Sequence, residues 1–142
     1  MMSLPQITAP AIVVHGADDV DRACAPGLPV TLLSAPGAAL YAGCGWWRAL
    51  VDQARARHPG LIAADILDCA DAPGLALAAL RIGQAALVLD PACPGFPAVA
   101  AIAAARGVAL FPARPAALDL RTCWSAAKLT LWLQARITGE PP

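Results

Sequence analysis

The chain has 142 residues, of which 58% are hydrophobic and 14% are charged, and its mean hydropathy is +0.60. This length and composition predict one globular domain with a sizeable core and exclude an intrinsically disordered chain. Ten basic and ten acidic residues cancel, which excludes the strongly basic face of a protein held on nucleic-acid phosphates.

The amino-terminal segment has no basic residue and no apolar run of signal-peptide length, and prolines and glycines interrupt the uncharged stretch 23–47. We therefore expect a cytoplasmic protein without a membrane span. The five cysteines are far apart and form no Cys-x-x-Cys pair, and the chain has only two histidines. This spacing predicts neither a disulfide framework nor a metal site.

Apolar runs rich in β-branched residues alternate with segments of helical periodicity along the chain. The first half predicts a strand at Ala11–His15, a helix at Asp18–Cys24, a strand at Val30–Ser34 and a helix at Cys44–His58. The second half predicts a strand at Leu61–Leu67, a helix from Pro73 to Gly83, a strand at Ala85–Leu89, a helix at Pro97–Arg106, a strand at Val108–Phe111 and a helix at Arg121–Thr138. Aspartates at helix starts are expected N-caps, namely Asp18 or Asp19 in the first helix and Asp71 in the third.

The spacing of these elements indicates the fold class. Each strand-plus-helix unit covers roughly 20 to 30 residues, which is the length of a βαβ crossover. The strands are almost wholly apolar, as is typical of parallel strands covered on both faces. We predict a three-layer α/β/α sandwich with a five-stranded, mainly parallel sheet in one domain over residues 1–142, of which 139–142 form a disordered tail. The strand order 2-1-3-4-5 of flavodoxin-like sheets is expected, with a Rossmann-like order as the alternative.

Ligands of an open parallel sheet bind beyond the carboxyl ends of its strands. The polar residues that follow the predicted strands are therefore candidate pocket residues, namely His15, Ser34, Asp68, Cys69, Asp90 and Arg114. With the 2-1-3-4-5 order, His15 and Asp68 would lie on neighbouring strands. This set suits nucleophilic or general acid-base chemistry. The structural alternative makes these residues loop hydrogen-bonding groups, with Cys69 a small buried side chain.

The predicted loop Ser34–Trp47 is rich in glycine and alanine and contains the pair Trp46-Trp47. Its backbone N–H groups could approach an anion at the start of the next helix, with the aromatic rings closing over a ligand. Its glycine spacing matches neither a dinucleotide fingerprint nor a P-loop. The alternative is a long turn whose aromatic side chains fill the core or a subunit contact.

The terminal helix carries two apolar stripes on opposite sides, although a surface helix needs only one. The sheet can cover one stripe, and the other would leave an apolar patch of a size that monomers seldom expose. We therefore predict a homodimer or higher homo-oligomer. The candidate interface residues are Trp124, Leu129, Leu131, Trp132, Leu133 and Ile137. The alternative is that the loop 34–47 folds over this helix within one chain.

Two functional hypotheses follow. The first is a small cytoplasmic α/β protein with a small-molecule or anion-binding pocket at the carboxyl edge of its sheet. The second is a non-catalytic, homo-oligomeric scaffold or protein-interaction domain. Neither nucleic acid nor membrane is expected as a partner, and the residue pattern identifies no reaction, substrate or cofactor.

Overall fold

Residues 5–122 and 125–135 are described by the structure, which is a computed structural model. They form a parallel sheet flanked by helices, which confirms the α/β class. The sheet has six strands rather than five. The strands are β1 (Ala11–Val14), β2 (Val30–Ser34), β3 (Ile62–Asp68), β4 (Ala86–Val88), β5 (Ala109–Phe111) and β6 (Ala117–Asp119).

The described residues also form helices between and after the strands. These are α1 (Ala17–Cys24), α2 (Ala38–Tyr41), α3 (Cys44–Arg57), α4 (Pro73–Arg81), α5 (Phe96–Ala105) and α6 (Ala126–Ala135). The one-turn helix α2 lies inside the predicted loop 34–47. The predicted tail 139–142 lies outside the described residues. None of the described helices has the length and apolar character needed to cross a membrane.

The strand order is β5-β4-β3-β2-β1-β6, with every neighbouring pair parallel. The order therefore runs in one direction from β1 to β5 and reverses once, because β6 pairs with the other side of β1. Strand β1 lies between β2 and β6, whereas the 2-1-3-4-5 order would place it between β2 and β3. Consequently His15 and Asp68 do not follow neighbouring strands, since β2 separates β1 from β3.

The N-caps of two helices differ from the predicted ones. Helix α1 begins at Ala17 with Gly16 as its N-cap, so Asp18 and Asp19 lie in the first turn. The Asp19 carboxylate accepts the backbone N–H of His15 at 2.9 Å and thereby ties the end of β1 to the helix. In α4 the N-cap is Ala72 rather than Asp71, because Pro73 already supplies the helical φ at the first position.

Two apolar clusters cover the sheet. The larger cluster contains buried side chains from the helices, among them Trp47 of α3, Leu80 of α4 and Leu133 of α6. The smaller one contains strand residues such as Val13, Leu33 and Val88, with Ile7 packed against it. Crossovers that proceed in one direction place their helices on one face, because parallel crossovers are right-handed. In the described residues, each of the helices α1 to α6 accordingly contributes buried side chains to the larger cluster.

A buried polar cluster around Asp65 connects helix α3 to β3 through hydrogen bonds and ion pairs. This carboxylate accepts hydrogen bonds from the indole N–H of Trp47 at 3.1 Å and from the side-chain amide of Gln84 at 2.8 Å. The guanidinium groups of Arg48 and Arg55 lie 3.3 and 3.2 Å from its two oxygens. Each carboxylate oxygen is thus paired, as a buried charge requires.

Candidate functional site at the carboxyl edge of the sheet

The reversal of strand order brings His15 and Asp119 together. Parallel pairing sets Val13 of β1 opposite Asp119 of β6, so His15 follows just beyond on the neighbouring strand. The imidazole Nε2 lies 3.2 Å from Oδ1 and 3.4 Å from Oδ2 of Asp119. Ligand sites of open parallel sheets lie at such reversals, where two connections diverge.

The carboxylate determines which nitrogen of His15 carries the proton in the neutral ring. A carboxylate can only accept, so Nε2 donates to Asp119 and Nδ1 holds the lone pair. In the described part of the chain, Nδ1 has no hydrogen-bond partner. The His15 side chain as a whole is 16% exposed.

A polar cavity of about 420 Å³ borders His15. It is lined by the first turn of α1 and by the side chains of Arg22 and Arg121. The carboxylate of Asp19 in this lining is engaged with the His15 N–H, and its other oxygen lies 3.8 Å from Arg22. The backbone N–H of Arg121 donates to the Asp119 carboxylate at 3.0 Å. This hydrogen bond holds the Arg121 backbone beside the His15–Asp119 pair.

A second cavity of about 310 Å³ also borders the segment 15–17. Its further walls come from one side of α3, with Trp46, Ala49 and Leu50 as apolar groups and Gln53 as the polar one. The two cavities therefore share one wall and differ in chemical character.

Ser34, Asp68 and Arg114 form a separate hydrogen-bonded group at the ends of β2 and β3. The Ser34 hydroxyl donates to the carbonyl of Ala35 at 3.1 Å and accepts the backbone N–H of Asp68 at 2.9 Å. The Asp68 carboxylate accepts Arg114 Nη1 at 2.7 Å and the Ala70 N–H at 2.8 Å. Because Ser34 and Asp68 are both buried and bonded within the chain, this group acts structurally.

Cys69 and Asp90 have local roles. Burial raises the pKa of the Cys69 thiol to about 12, and the neighbouring Asp68 charge adds to this rise. A thiol with such a pKa stays protonated at neutral pH, which does not favour a nucleophilic role. The Asp90 carboxylate accepts the backbone N–H of Ala92 at 2.9 Å, which closes an Asx turn.

The predicted pocket set thus divides. Ser34, Asp68 and Arg114 come together, whereas His15 joins Asp119, a residue that the sequence analysis did not select. The signal for Asp119 is weak: one aspartate between two leucines in the run Leu118-Asp119-Leu120. The sequence did not indicate Arg121 as a site residue either, because Arg121 follows β6, a strand that was not predicted.

A larger cavity lies elsewhere, against the edge strand β5 and helix α5. It measures about 480 Å³, and its lining, which includes Phe96, Leu110 and Pro112, consists of apolar residues alone. A ligand site needs a few converging polar groups for orientation. This cavity has no polar side chain in its lining, whereas both smaller cavities beside His15 have polar side chains.

The candidate interface residues of the terminal helix have different surroundings. Leu129 and Leu133 are buried in the chain's own core, whereas Leu131 is 65% exposed. The indole N–H of Trp132 donates to the carbonyl of Ala11 at 2.8 Å, and this side chain packs against the larger cluster. Trp124 and Ile137 lie outside the described residues.

No known protein-family model and no curated protein matches this sequence.

Proposed function

We propose that this protein binds a small anionic molecule at the carboxyl edge of its sheet, with His15 as the central hydrogen-bonding and proton-transferring group. The observation that carries this proposal is the His15–Asp119 pair at the reversal of strand order. One ring nitrogen is held by a carboxylate at 3.2 Å, and the other has no partner in the described residues. This arrangement orients an imidazole for acid-base work on a bound molecule.

The charges around the polar cavity support an anion as the ligand. Arg121 is exposed, and its side chain forms no ion pair in the described part of the chain. Among the carboxylates, Asp19 accepts the His15 N–H and Asp119 holds the imidazole. Asp18 is exposed and has no described partner, so an anion is expected on the Arg121 side of the cavity.

Binding should be linked to protonation of His15. An anion accepts hydrogen bonds, so Nδ1 must become a donor, and a neutral imidazole that already donates through Nε2 must take up a proton. Sulfate is a suitable probe because its own charge does not change near neutral pH. We therefore expect sulfate to bind more weakly at high pH than at low pH.

Nuclear magnetic resonance of the two histidine rings tests the proposal. Sulfate should shift the His15 ring signals in a saturable way and leave His58 unaffected. His58 is a matched control, because its Nε2 also lies on a carboxylate, that of Asp21, at 2.8 Å. Arg121→Gln should weaken binding, and His15→Gln should remove its pH dependence. Equal, non-saturating shifts of both rings would refute the proposal.

The second candidate function is a homo-oligomeric scaffold, and the composition of α5 favours it. This helix of ten residues contains no polar side chain. Six of its residues are nevertheless exposed, namely Pro97, Ala98, Ala101, Ile102, Ala104 and Ala105. An all-apolar helix is usually covered on every side. We propose a second copy of the chain as the cover by default, because most oligomers are symmetric.

Light scattering over a range of concentrations tests this candidate. A mass near 14.5 kDa that does not rise with concentration would reject it. If an oligomer forms, Ile102→Glu should dissociate it when α5 is the contact. Leu131→Glu, on the exposed side of α6, should dissociate it when the contact is the terminal helix instead.

A further inference from the structure

We infer that the ligand of the His15 site carries its anionic group on a planar aromatic ring, with the ring bound in the cavity beside Trp46. This inference rests on the proposed function and adds the chemical class of the ligand. It comes from the two cavities that meet at His15 and from the support behind the Trp46 ring.

The two cavities adjoin at one segment of the chain. Both are lined by His15, Gly16 and Ala17, so a ligand that bridges this segment can occupy both. Their volumes of about 420 and 310 Å³ lie within the range of small-molecule sites. The first cavity offers the guanidinium group of Arg121, and the second offers an indole and aliphatic side chains. A molecule that fills both must therefore be polar at one end and apolar at the other.

The Trp46 ring is held firmly enough to act as a binding surface. The ring is 37% exposed, and it packs at a tilt against the ring of Trp47, with the ring centroids 6.1 Å apart. Trp47 is fully buried and donates its indole N–H to Asp65. An exposed aromatic ring with a rigid ring behind it loses little side-chain entropy on binding and favours a second aromatic ring in an offset or edge-to-face arrangement.

Gly16 lies where the two cavities meet and offers a way to close them. A Cβ atom at this position would have no other atom within 4 Å. The φ of Gly16 is 179°, an extended conformation that any residue adopts. A larger side chain at Gly16 should therefore fit the fold and fill the space that the ligand needs.

The test compares methanesulfonate with benzenesulfonate by isothermal titration calorimetry. The two probes share one anionic group and differ by the aromatic ring. We expect benzenesulfonate to bind about tenfold more tightly, because the ring adds burial and an aromatic contact. Trp46→Ala should abolish this difference and leave methanesulfonate binding unchanged. Gly16→Leu should remove binding of both probes. Tyr41→Ala is the control, because this aromatic residue is 70% exposed but lines neither cavity, and it should change nothing.

Each result has a defined meaning. Equal affinities for the two sulfonates, or a difference that survives Trp46→Ala, would overturn the inference about the ring. If sulfate still shifts the His15 ring signals in that case, the proposed anion site stands without the aromatic class of ligand. If sulfate and both sulfonates fail to bind, the proposed function and this inference fall together. Circular dichroism of Gly16→Leu verifies that its loss of binding is not a loss of folding.

Discussion

Arg114, on the connection between β5 and β6, donates a hydrogen bond of 2.7 Å to the buried carboxylate of Asp68 at the end of β3. The Asp68 side chain is 5% exposed and that of Arg114 is 26% exposed. The pair joins the last connection of the sheet to its middle. It also neutralises a carboxylate that would otherwise be buried alone.

Arg114→Met is expected to destabilise the protein by about 3 kcal/mol, because it leaves the Asp68 charge buried without a partner. Asp68→Asn in the Arg114→Met background should recover part of this loss, since the uncompensated charge is then gone. Urea denaturation of the two single variants and the double variant measures the coupling. Additive effects would mean that the pair contributes nothing as a pair.

Gly95→Ala is expected to destabilise the protein by about 1 to 3 kcal/mol through overpacking. A Cβ at Gly95 would lie 2.7 Å from Cβ and 2.9 Å from Cγ of Pro73, so the starts of α4 and α5 would have to separate. Gly74→Ala is the matched control, because this position in α4 has nothing within 4 Å and should gain up to about 1 kcal/mol of helix propensity. Thermal denaturation that shows the same sign for both variants would contradict the packing argument.

The strands β1 to β5 could be predicted because each is an apolar run bounded by turn residues. Strand β6 could not, since Ala117–Asp119 has three residues and one large apolar side chain. Strand order is a different problem. Apolar parallel strands can pair with one another in several orders, and the choice depends on how each crossover packs against the sheet. Residue patterns alone therefore left the neighbours of β1 undecided.

Of the His15–Asp119 pair, only His15 could be predicted from the sequence. His15 ends a clearly apolar strand, so its position at the carboxyl edge follows from the sequence. Asp119 lies 104 residues further along the chain and becomes the partner of His15 only because β6 lies beside β1. Asp68 ends a strand just as clearly, but burial and its bond to Arg114 give it a structural role. Position at a strand end thus identifies candidates, and hydrogen-bond partners separate them.

Asp21 should make stability pH-dependent on the acid side. Its hydrogen bond with His58 lowers the pKa of this carboxyl, and the nearby charge of Arg57, with Nη2 at 2.6 Å, lowers it further. Because the folded pKa lies below the ordinary value of about 3.9, the stabilisation is present above that value and is lost as the pH falls through the folded pKa.

Urea denaturation from neutral pH to below pH 3 compares wild type with Asp21→Asn. The wild type should be more stable at neutral pH, and the difference should vanish in acid. The effect is expected to be small, because the Asp21 and Arg57 side chains are substantially exposed. A difference that stays constant over the whole range would show that the Asp21 charge is not involved.

The cysteines should label in an order determined by burial. Burial raises the pKa of Cys69 to about 12 and that of Cys24 to about 11, so neither thiol ionises at neutral pH. Cys44 is partly exposed, and of the described cysteines it should react first with iodoacetamide. Peptide mapping by mass spectrometry after timed alkylation gives the order directly. Cys44→Ala should remove the early label, and Cys69 should be modified only as fast as the protein unfolds, which urea accelerates. Modification of Cys69 in the native protein at the rate of a free thiol would show that its surroundings open without global unfolding, and it would return this residue to the candidate site.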